Sequence, residues 1–232
     1  MAQSEGFRVE TDVFVGDEPA PVFQSLTLFE NGIAYDYSRD DDATCTIVDP
    51  QHDRIVLVNS QHQIRTELSI NEIAQLIETA RTQAAGTSLA VFLIGAGKIE
   101  VVDGIVTVGD DNLRYVAKTS KPNEPYAVQW YRTFADAMAN FNAWASGGTP
   151  PFARLALNGA VADLGSIPVE IRRDIKAGKT QVQHTSRLRT TWLLSKTDRA
   201  RIAQAQKGLV TYTPVDLATF HNRVQAKQVA NK

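Results

Sequence analysis

The sequence predicts an α+β fold in which helices pack on one face of a curved antiparallel sheet, an unclosed half-barrel. Apolar and polar residues alternate in successive short segments of residues 7–68, which is the two-residue period of half-buried strands. Asn31-Gly32 separates two of these segments, and both residues tolerate the positive φ angles of a two-residue hairpin turn. Ser69 and Glu72 then have the spacing of a capping box in front of an amphipathic helix.

The elements predicted after this strand region follow one another with clear breaks. Apolar residues at helical spacing extend the helix after Ser69 to about Ala85. The apolar run 89–94 predicts a second, short helix, with a strand as the alternative. The rest of the chain predicts strands within 98–118, helices over 126–146 and 151–163, a long hairpin over 168–194, and helices that start at Ser195 and Pro214.

Length and composition bound the domain organisation. A chain of 232 residues fits one large domain or two small ones, and 43% hydrophobic residues allow a sizeable core. Residues 147–151 read Gly-Gly-Thr-Pro-Pro, a composition typical of a linker. We therefore expect a single domain over residues 1–232 with an internal linker at 146–151.

Charge is distributed unevenly along the chain. Residues 1–150 carry 10 basic and 21 acidic side chains, a net charge of −11. Residues 151–232 carry 14 basic and 5 acidic side chains, a net charge of +9. Attraction between the two parts within one fold explains this asymmetry, and a basic surface for an anionic partner is the alternative.

Several classes of protein do not fit the sequence. No apolar run approaches the ~20 residues that a membrane-spanning helix needs, and no signal peptide is recognised. We expect a periplasmic or secreted protein whose leader has been removed, with a cytoplasmic location as the alternative. The lone Cys45 excludes an intramolecular disulfide and a multi-cysteine metal site.

The candidate catalytic and cofactor motifs are weak. Gly95 and Gly97 resemble part of a dinucleotide fingerprint, but Glu100 stands where the third glycine belongs. The four histidines lack metal-ligand spacing. His184 and Ser186 alternate onto one strand face, without the strained turn that a nucleophilic serine uses. We therefore predict no enzyme, no cofactor, no metal and no nucleic-acid partner.

The remaining signal is an apolar face of the predicted sheet. Such a face is either a core filled by helices or, where the helices fill it incompletely, a ligand pocket. Arg173 is the unusual residue of this face, because the alternation of side chains along a strand places it on the same side as Ile171 and Ile175. An inward arginine requires an acidic partner or an anionic ligand. The residues predicted to line this face are Val13, Leu26, Leu28, Tyr35, Leu57, Ile64, Arg173, Leu188 and Trp192.

The strand at Phe7-Arg8-Val9, the hairpin over residues 28–35 and the strand pair after it resemble periplasmic lipoprotein carriers of the LolA/LolB type. The likeness covers residues 7–75 and, in outline, the late hairpin. It is a likeness of pattern, and the chain resembles uncharacterised bacterial secreted proteins of similar layout more closely still. It implies an unclosed half-barrel with an apolar cavity for acyl chains. Residues 89–119 and 126–146 depart from the carrier pattern, and no functional residue of the carriers is transferred to this chain.

The function expected on these grounds is non-catalytic binding or carriage of an apolar or lipid-like ligand in the bacterial cell envelope. The partner would be a lipid or a lipoprotein acyl chain, with transient contact to a membrane surface. Burial of the chain would contribute about 0.8 kcal/mol per CH₂, and a cationic residue at the mouth would bind the head group. The alternative is a structural or protein-interaction module whose concave face is filled.

Overall fold

A computed structural model describes residues 5–84, 97–146, 149–178 and 180–230 of the chain. Its strands are β1 (Gly6–Val15), β2 (Phe23–Glu30), β3 (Ile33–Ser38), β4 (Asp41–Asp49), β5 (Arg54–Asn59), β6 (Ile64–Ser69), β7 (Lys98–Val102), β8 (Ile105–Gly109), β9 (Leu113–Ser120), β10 (Ile167–Ala177), β11 (Thr180–Thr191) and β12 (Thr213–Pro214). Its helices are α1 (Ile70–Ala84), α2 (Tyr126–Ser146), α3 (Phe152–Asp163), α4 (Lys196–Thr211) and α5 (Leu217–Ala230).

The strands form one unclosed, mostly antiparallel sheet. The 12 strands lie in the order β12-β6-β5-β4-β3-β2-β1-β11-β10-β9-β8-β7. The short strand β12 pairs in parallel with β6, and neighbouring strands from β2 to β6 and from β7 to β11 pair antiparallel. The predicted α+β class with an antiparallel sheet is thereby confirmed. The short helix predicted at 89–94 lies outside the described residues.

The β2–β3 hairpin is formed by its predicted turn. Asn31 and Gly32 adopt φ angles of 52° and 83°, the left-handed values that a two-residue hairpin turn uses. The turn sets the register that pairs Leu28 with Tyr35. Helix α1 begins at Ile70, directly after Ser69. The hydroxyl of Ser69 donates a 2.7 Å hydrogen bond to the Asp53 carboxylate.

The chain packs into two compact units. Unit 1 comprises Met1–Val9, Ser25–Ile70 and Thr191–Lys232, and unit 2 comprises Glu10–Gln24 and Asn71–Thr190. The predicted linker at 146–151 lies inside unit 2, between α2 and α3. Gly147 and Gly148 of that segment lie outside the described residues.

The core of unit 1 is a layer of buried side chains between α4 and strands β2–β5. The capping box of Ser195 and Asp198 starts α4, and Arg8 donates to the Asp198 carboxylate at 3.2 Å. The inner face of α4 contributes Ile202 and Ala205. The buried cluster consists of Leu26, Leu28, Tyr35, Tyr37, Cys45, Ile47, Val56, Val58, Leu194, Ile202 and Ala205.

Leu57 and Ile64 do not lie on this core face, so the predicted common face is wrong for these two residues. Val56 and Val58 belong to the buried cluster, and Leu57 between them points to the opposite side of β5. Ile64 pairs with Asn59, which has the same parity as Leu57. Every residue of β5 after Arg54 is buried. The two-residue period therefore carries no information about which face is which.

In unit 2, helices α2 and α3 pack on the late strands. Helix α3 packs on β8 and β9, and α2 packs on α3 and β10. The long predicted hairpin is present as β10 and β11, with Arg173 paired to His184.

The helix predicted to start at Pro214 begins later, at Leu217. The N–H groups of Thr213 and Val215 donate to the carbonyls of Gln63 and Arg65 in the edge pairing with β6. Pro214, which lacks an N–H, fits between these two donors. The carboxylate of Asp216 accepts from the N–H of Thr219, so Asp216 is the residue that caps α5.

Candidate functional site

A cleft of about 580 Å³ lies in unit 2 between α2 and the strands β1, β9, β10 and β11. Its volume falls within the range of roughly 300–1,000 Å³ that small-molecule sites occupy. The residues that line it are Val13, Tyr115, Tyr131, Phe134, Ala135, Met138, Ala139, Asn142, Ala143, Thr149, Pro150, Pro151, Arg154, Ile171, Arg173, His184 and Ser186.

The helical wall of the cleft is built from small and flexible side chains. Ala135, Ala139 and Ala143 recur every fourth residue of α2 and so lie on one side of the helix. Phe134 and Met138 stand beside them and are only half-buried. A row of alanines projects one carbon each towards the strands, which leaves the space open.

The strand wall places Arg173 inside the cleft with Ile171, as strand parity predicts. Arg173 is paired with His184 on β11 and Tyr115 on β9, so the three side chains share one face. An N–H of the Arg173 guanidinium donates to Nδ1 of His184 at 3.3 Å. Partial burial, and then the neighbouring guanidinium, lower the pKa of His184 below its usual value. The imidazole is therefore a neutral acceptor at pH 7.

Arg154, at the start of α3, supplies a second cation. Its Nε donates to Oδ1 of Asn158 at 2.9 Å, and Asn158 donates in turn to Asp136 at 2.8 Å. Arg132 also approaches Asp136, at 3.6 Å. Burial raises the pKa of Asp136, against the hydrogen bond from Asn158 and the charges of Arg132 and Arg154. Asp136 does not line the cleft, and none of the residues described along it is an aspartate or glutamate.

The outer face of the same hairpin has a different charge pattern. Arg172, next to Arg173 on β10, lies 3.1 Å from the Asp174 carboxylate. Arg189 on β11 lies 3.1 Å from Asp12. This is the solvated, paired face typical of surface strands.

Of the residues predicted to line a common pocket, the structure brings only Val13 and Arg173 into the cleft. Leu26, Leu28 and Tyr35 are buried in the core of unit 1. Leu57 and Ile64 are buried on the opposite face, and Leu188 is buried as well. Trp192 is half-buried in unit 1, with its ring centroid 5.6 Å from that of Phe7. Sequence reasoning missed the α2 wall, although the alanine spacing was a readable signal.

A smaller cavity of about 240 Å³ lies in unit 1 beside Tyr37, Cys45, Arg201 and Tyr212. It is below the usual range of ligand sites, which starts at about 300 Å³. The Cys45 thiol at its wall is buried, and desolvation raises its pKa far above the ordinary value. A thiol of this kind stays protonated and is a poor nucleophile.

Two further observations hold for the residues that the structure describes. None of the helices among them is long and apolar enough to cross a membrane. In the same residues, no group of three or more His, Cys, Asp or Glu side chains is arranged to hold a metal ion.

Compared with models of known protein families and with curated protein sequences, the chain matches none of them. The resemblance to LolA/LolB-type carriers stays a prediction from the pattern of strands and turns.

Proposed function

We propose that the protein binds an apolar or lipid-like ligand in the cleft of unit 2, without catalysis, as a binding or carrier protein of the cell envelope. The observation that carries the proposal is the open cleft of about 580 Å³ beside the alanine row of α2. Large apolar side chains flank that row and leave room for an extended chain rather than filling the space themselves.

The energetics suit a ligand with one flexible chain. Burial of about ten methylene groups would contribute roughly 8 kcal/mol. Association costs at least ~4 kcal/mol in lost translational and rotational freedom. The chain alone would therefore bind weakly, and polar contacts at its end would determine the affinity.

The polar groups in the cleft support binding rather than chemistry. Ser186 and His184 both line the cleft, but His184 accepts a hydrogen bond from Arg173 instead of being oriented by a carboxylate. Ser186 lies in the middle of β11, away from any strained turn. A nucleophile, a base and a group that orients the base are the minimum for acyl transfer. The described contacts of this cleft supply the first two at most.

Filling the cleft from α2 tests the proposal. Ala139→Phe adds a ring to the alanine row, and Ala145→Phe adds the same ring at an exposed position of the same helix. Delipidated protein is titrated with 1-dodecanol and with laurate, followed by calorimetry and native mass spectrometry. We expect one molecule bound by the wild type and by Ala145→Phe, and at least tenfold weaker binding by Ala139→Phe.

Two results would contradict the proposal. One is a wild-type protein that binds neither probe, which would favour the alternative of a structural or protein-interaction module. The other is binding that Ala139→Phe leaves unchanged while circular dichroism shows a native fold, which would locate the ligand elsewhere.

A further inference from the structure

The charged side chains along the cleft are all cationic. Arg154 and Arg173 line it, and the residues described there include no aspartate or glutamate. In the described part of the chain, Arg173 makes a single hydrogen bond, to the neutral imidazole of His184. That contact fixes the direction of the guanidinium without neutralising its charge. A half-buried guanidinium beside apolar groups gains free energy when an anion pairs with it.

The neighbouring arginine has a carboxylate partner of the kind that is not found beside Arg173 among the described residues of the cleft. Arg172 is the next residue of β10 and faces the other side of the sheet, where Asp174 lies 3.1 Å away. Arg189 on that side is likewise paired, with Asp12 at 3.1 Å. Arg172 and Arg189 on the outer face of the hairpin are thus paired with carboxylates of the protein, whereas Arg173 in the cleft donates to the neutral ring of His184.

We infer that the ligand bound in this cleft carries an acidic head group, a carboxylate or a phosphate monoester, which pairs with Arg173. This inference rests on the function proposed above and names the chemical class of its ligand. The planar guanidinium offers parallel N–H donors that match two oxygens of either anion. His184 acts as a positioning residue, because its Nδ1 holds one N–H of Arg173. Arg154 adds positive charge from the start of α3.

The test compares probes that share a twelve-carbon chain and differ in the head. Laurate, dodecyl phosphate, 1-dodecanol and dodecyltrimethylammonium are titrated into delipidated wild-type protein at pH 7.5. Acetate and inorganic phosphate are added as anions without a chain. The same titrations are made with Arg173→Met and with the matched control Arg172→Met, whose side chain leaves from the opposite face of the same strand.

We expect the wild type to bind the two acids at least tenfold more tightly than 1-dodecanol and to bind the ammonium probe most weakly. Arg173→Met should reduce the acid preference to less than about threefold, and Arg172→Met should retain it. Acetate and phosphate should compete only weakly, since they lack the chain.

The outcomes separate this inference from the proposed function. Equal binding of the acids and 1-dodecanol, unchanged in Arg173→Met, overturns the acidic head and leaves the apolar-ligand function intact. Failure of every probe overturns both. Inorganic phosphate that binds as tightly as dodecyl phosphate overturns the role of the chain and so the lipid-like ligand itself.

A measurement on the wild type keeps the inference testable if Arg173→Met does not fold. Pairing between a head-group anion and the cleft arginines weakens as salt screens the charges. Raising NaCl from 20 to 500 mM should therefore narrow the gap between laurate and 1-dodecanol. A gap that salt leaves unchanged would contradict recognition by charge.

Discussion

The cores of unit 1 and unit 2 both place a helix over a face of antiparallel strands, yet the core of unit 1 is mostly filled, with a cavity of about 240 Å³, and that of unit 2 is open. In unit 1, α4 packs Ile202 and Ala205 against the large side chains of Tyr35 and Tyr37. In unit 2, α2 presents Ala135, Ala139 and Ala143 to the strands, and a cleft of about 580 Å³ remains. Both strand faces carry tyrosines, but α4 packs Ile202 against its strands whereas α2 presents alanines, and the larger opening lies beside the alanines.

The polar groups at the two faces also differ in how completely their hydrogen bonds are made within the protein. The Tyr35 hydroxyl accepts from Gln206 at 2.9 Å, and the Tyr37 hydroxyl donates to the Arg201 carbonyl at 3.1 Å. The filled face thus satisfies its hydroxyls within the protein. The open face leaves Arg173 with the His184 nitrogen alone among the described contacts. Polar groups that already form hydrogen bonds within the protein gain little free energy from contact with a ligand.

The largest expected effect is the loss of stability when a side chain in the filled core is shortened. Leu28 is fully buried, so Leu28→Ala should leave a cavity and reduce the free energy of unfolding by about 2–5 kcal/mol. Met138 borders space that is already open, and Met138→Ala should cost less than about 1.5 kcal/mol. Urea unfolding followed by circular dichroism measures both. Equal losses would show that the two faces are packed alike.

A titration within unit 1 gives the next largest effect. Burial raises the pKa of Asp36 from its usual value to about 6, and the hydrogen bond from Thr27 only partly opposes this. Since the folded-state pKa lies above the unfolded one, the protonated carboxyl stabilises the fold at about pH 4, and this contribution is lost as pH rises through about 6. Asp36→Asn should therefore increase stability by about 1–3 kcal/mol at pH 7.5.

The pH dependence is the control for Asp36→Asn. The amide oxygen still accepts the 2.6 Å hydrogen bond that Thr27 donates to the carboxylate, so packing is retained. The gain in stability should shrink steadily towards pH 4, where the wild-type carboxyl is protonated as well. Urea midpoints at four pH values between 4 and 8 measure this. A gain that is independent of pH would mean that burial of the charge is not its cause.

Local signals predicted much of the fold. The Asn31-Gly32 turn sets the β2–β3 register, and residue types at Ser69 and Ser195 mark the starts of α1 and α4. Each of these depends on neighbours within a few residues, which is the range that sequence patterns report.

Features that depend on distant parts of the chain were predicted less well. Alternation along the sequence predicts the wrong face for Leu57, because β5 is buried on both sides. Pro214 has the character of a helix start, and its pairing with β6 could not be predicted locally because β6 is far away in sequence. For the cleft, alternation along β10 predicts that Arg173 points inward, and the alanine spacing of α2 indicates small side chains on the facing helix. The size of the open space also depends on how closely α2 approaches β10, which is set by packing between distant parts of the chain.

The smallest predicted effect is a shift in the titration of His184, the group that distinguishes the open face. Its pKa is lowered by partial burial and by Arg173. Because the folded-state pKa lies below the unfolded one, the neutral ring stabilises the fold at neutral pH, and this contribution is lost as pH falls below about 6.5. Proton NMR titration of the ring should show this low pKa, with His184→Gln identifying the signal.

Removal of the neighbouring charge and addition of ligand should move that pKa in the same direction. Arg173→Met takes away a cation 3.3 Å from Nδ1, so the imidazolium becomes easier to form and the pKa should rise. Bound laurate should raise it as well, because a carboxylate beside the ring favours the protonated form. Arg172→Met, on the opposite face, should leave the titration unchanged. A His184 pKa that ignores both Arg173→Met and laurate would mean that the ring and the guanidinium do not share the cleft.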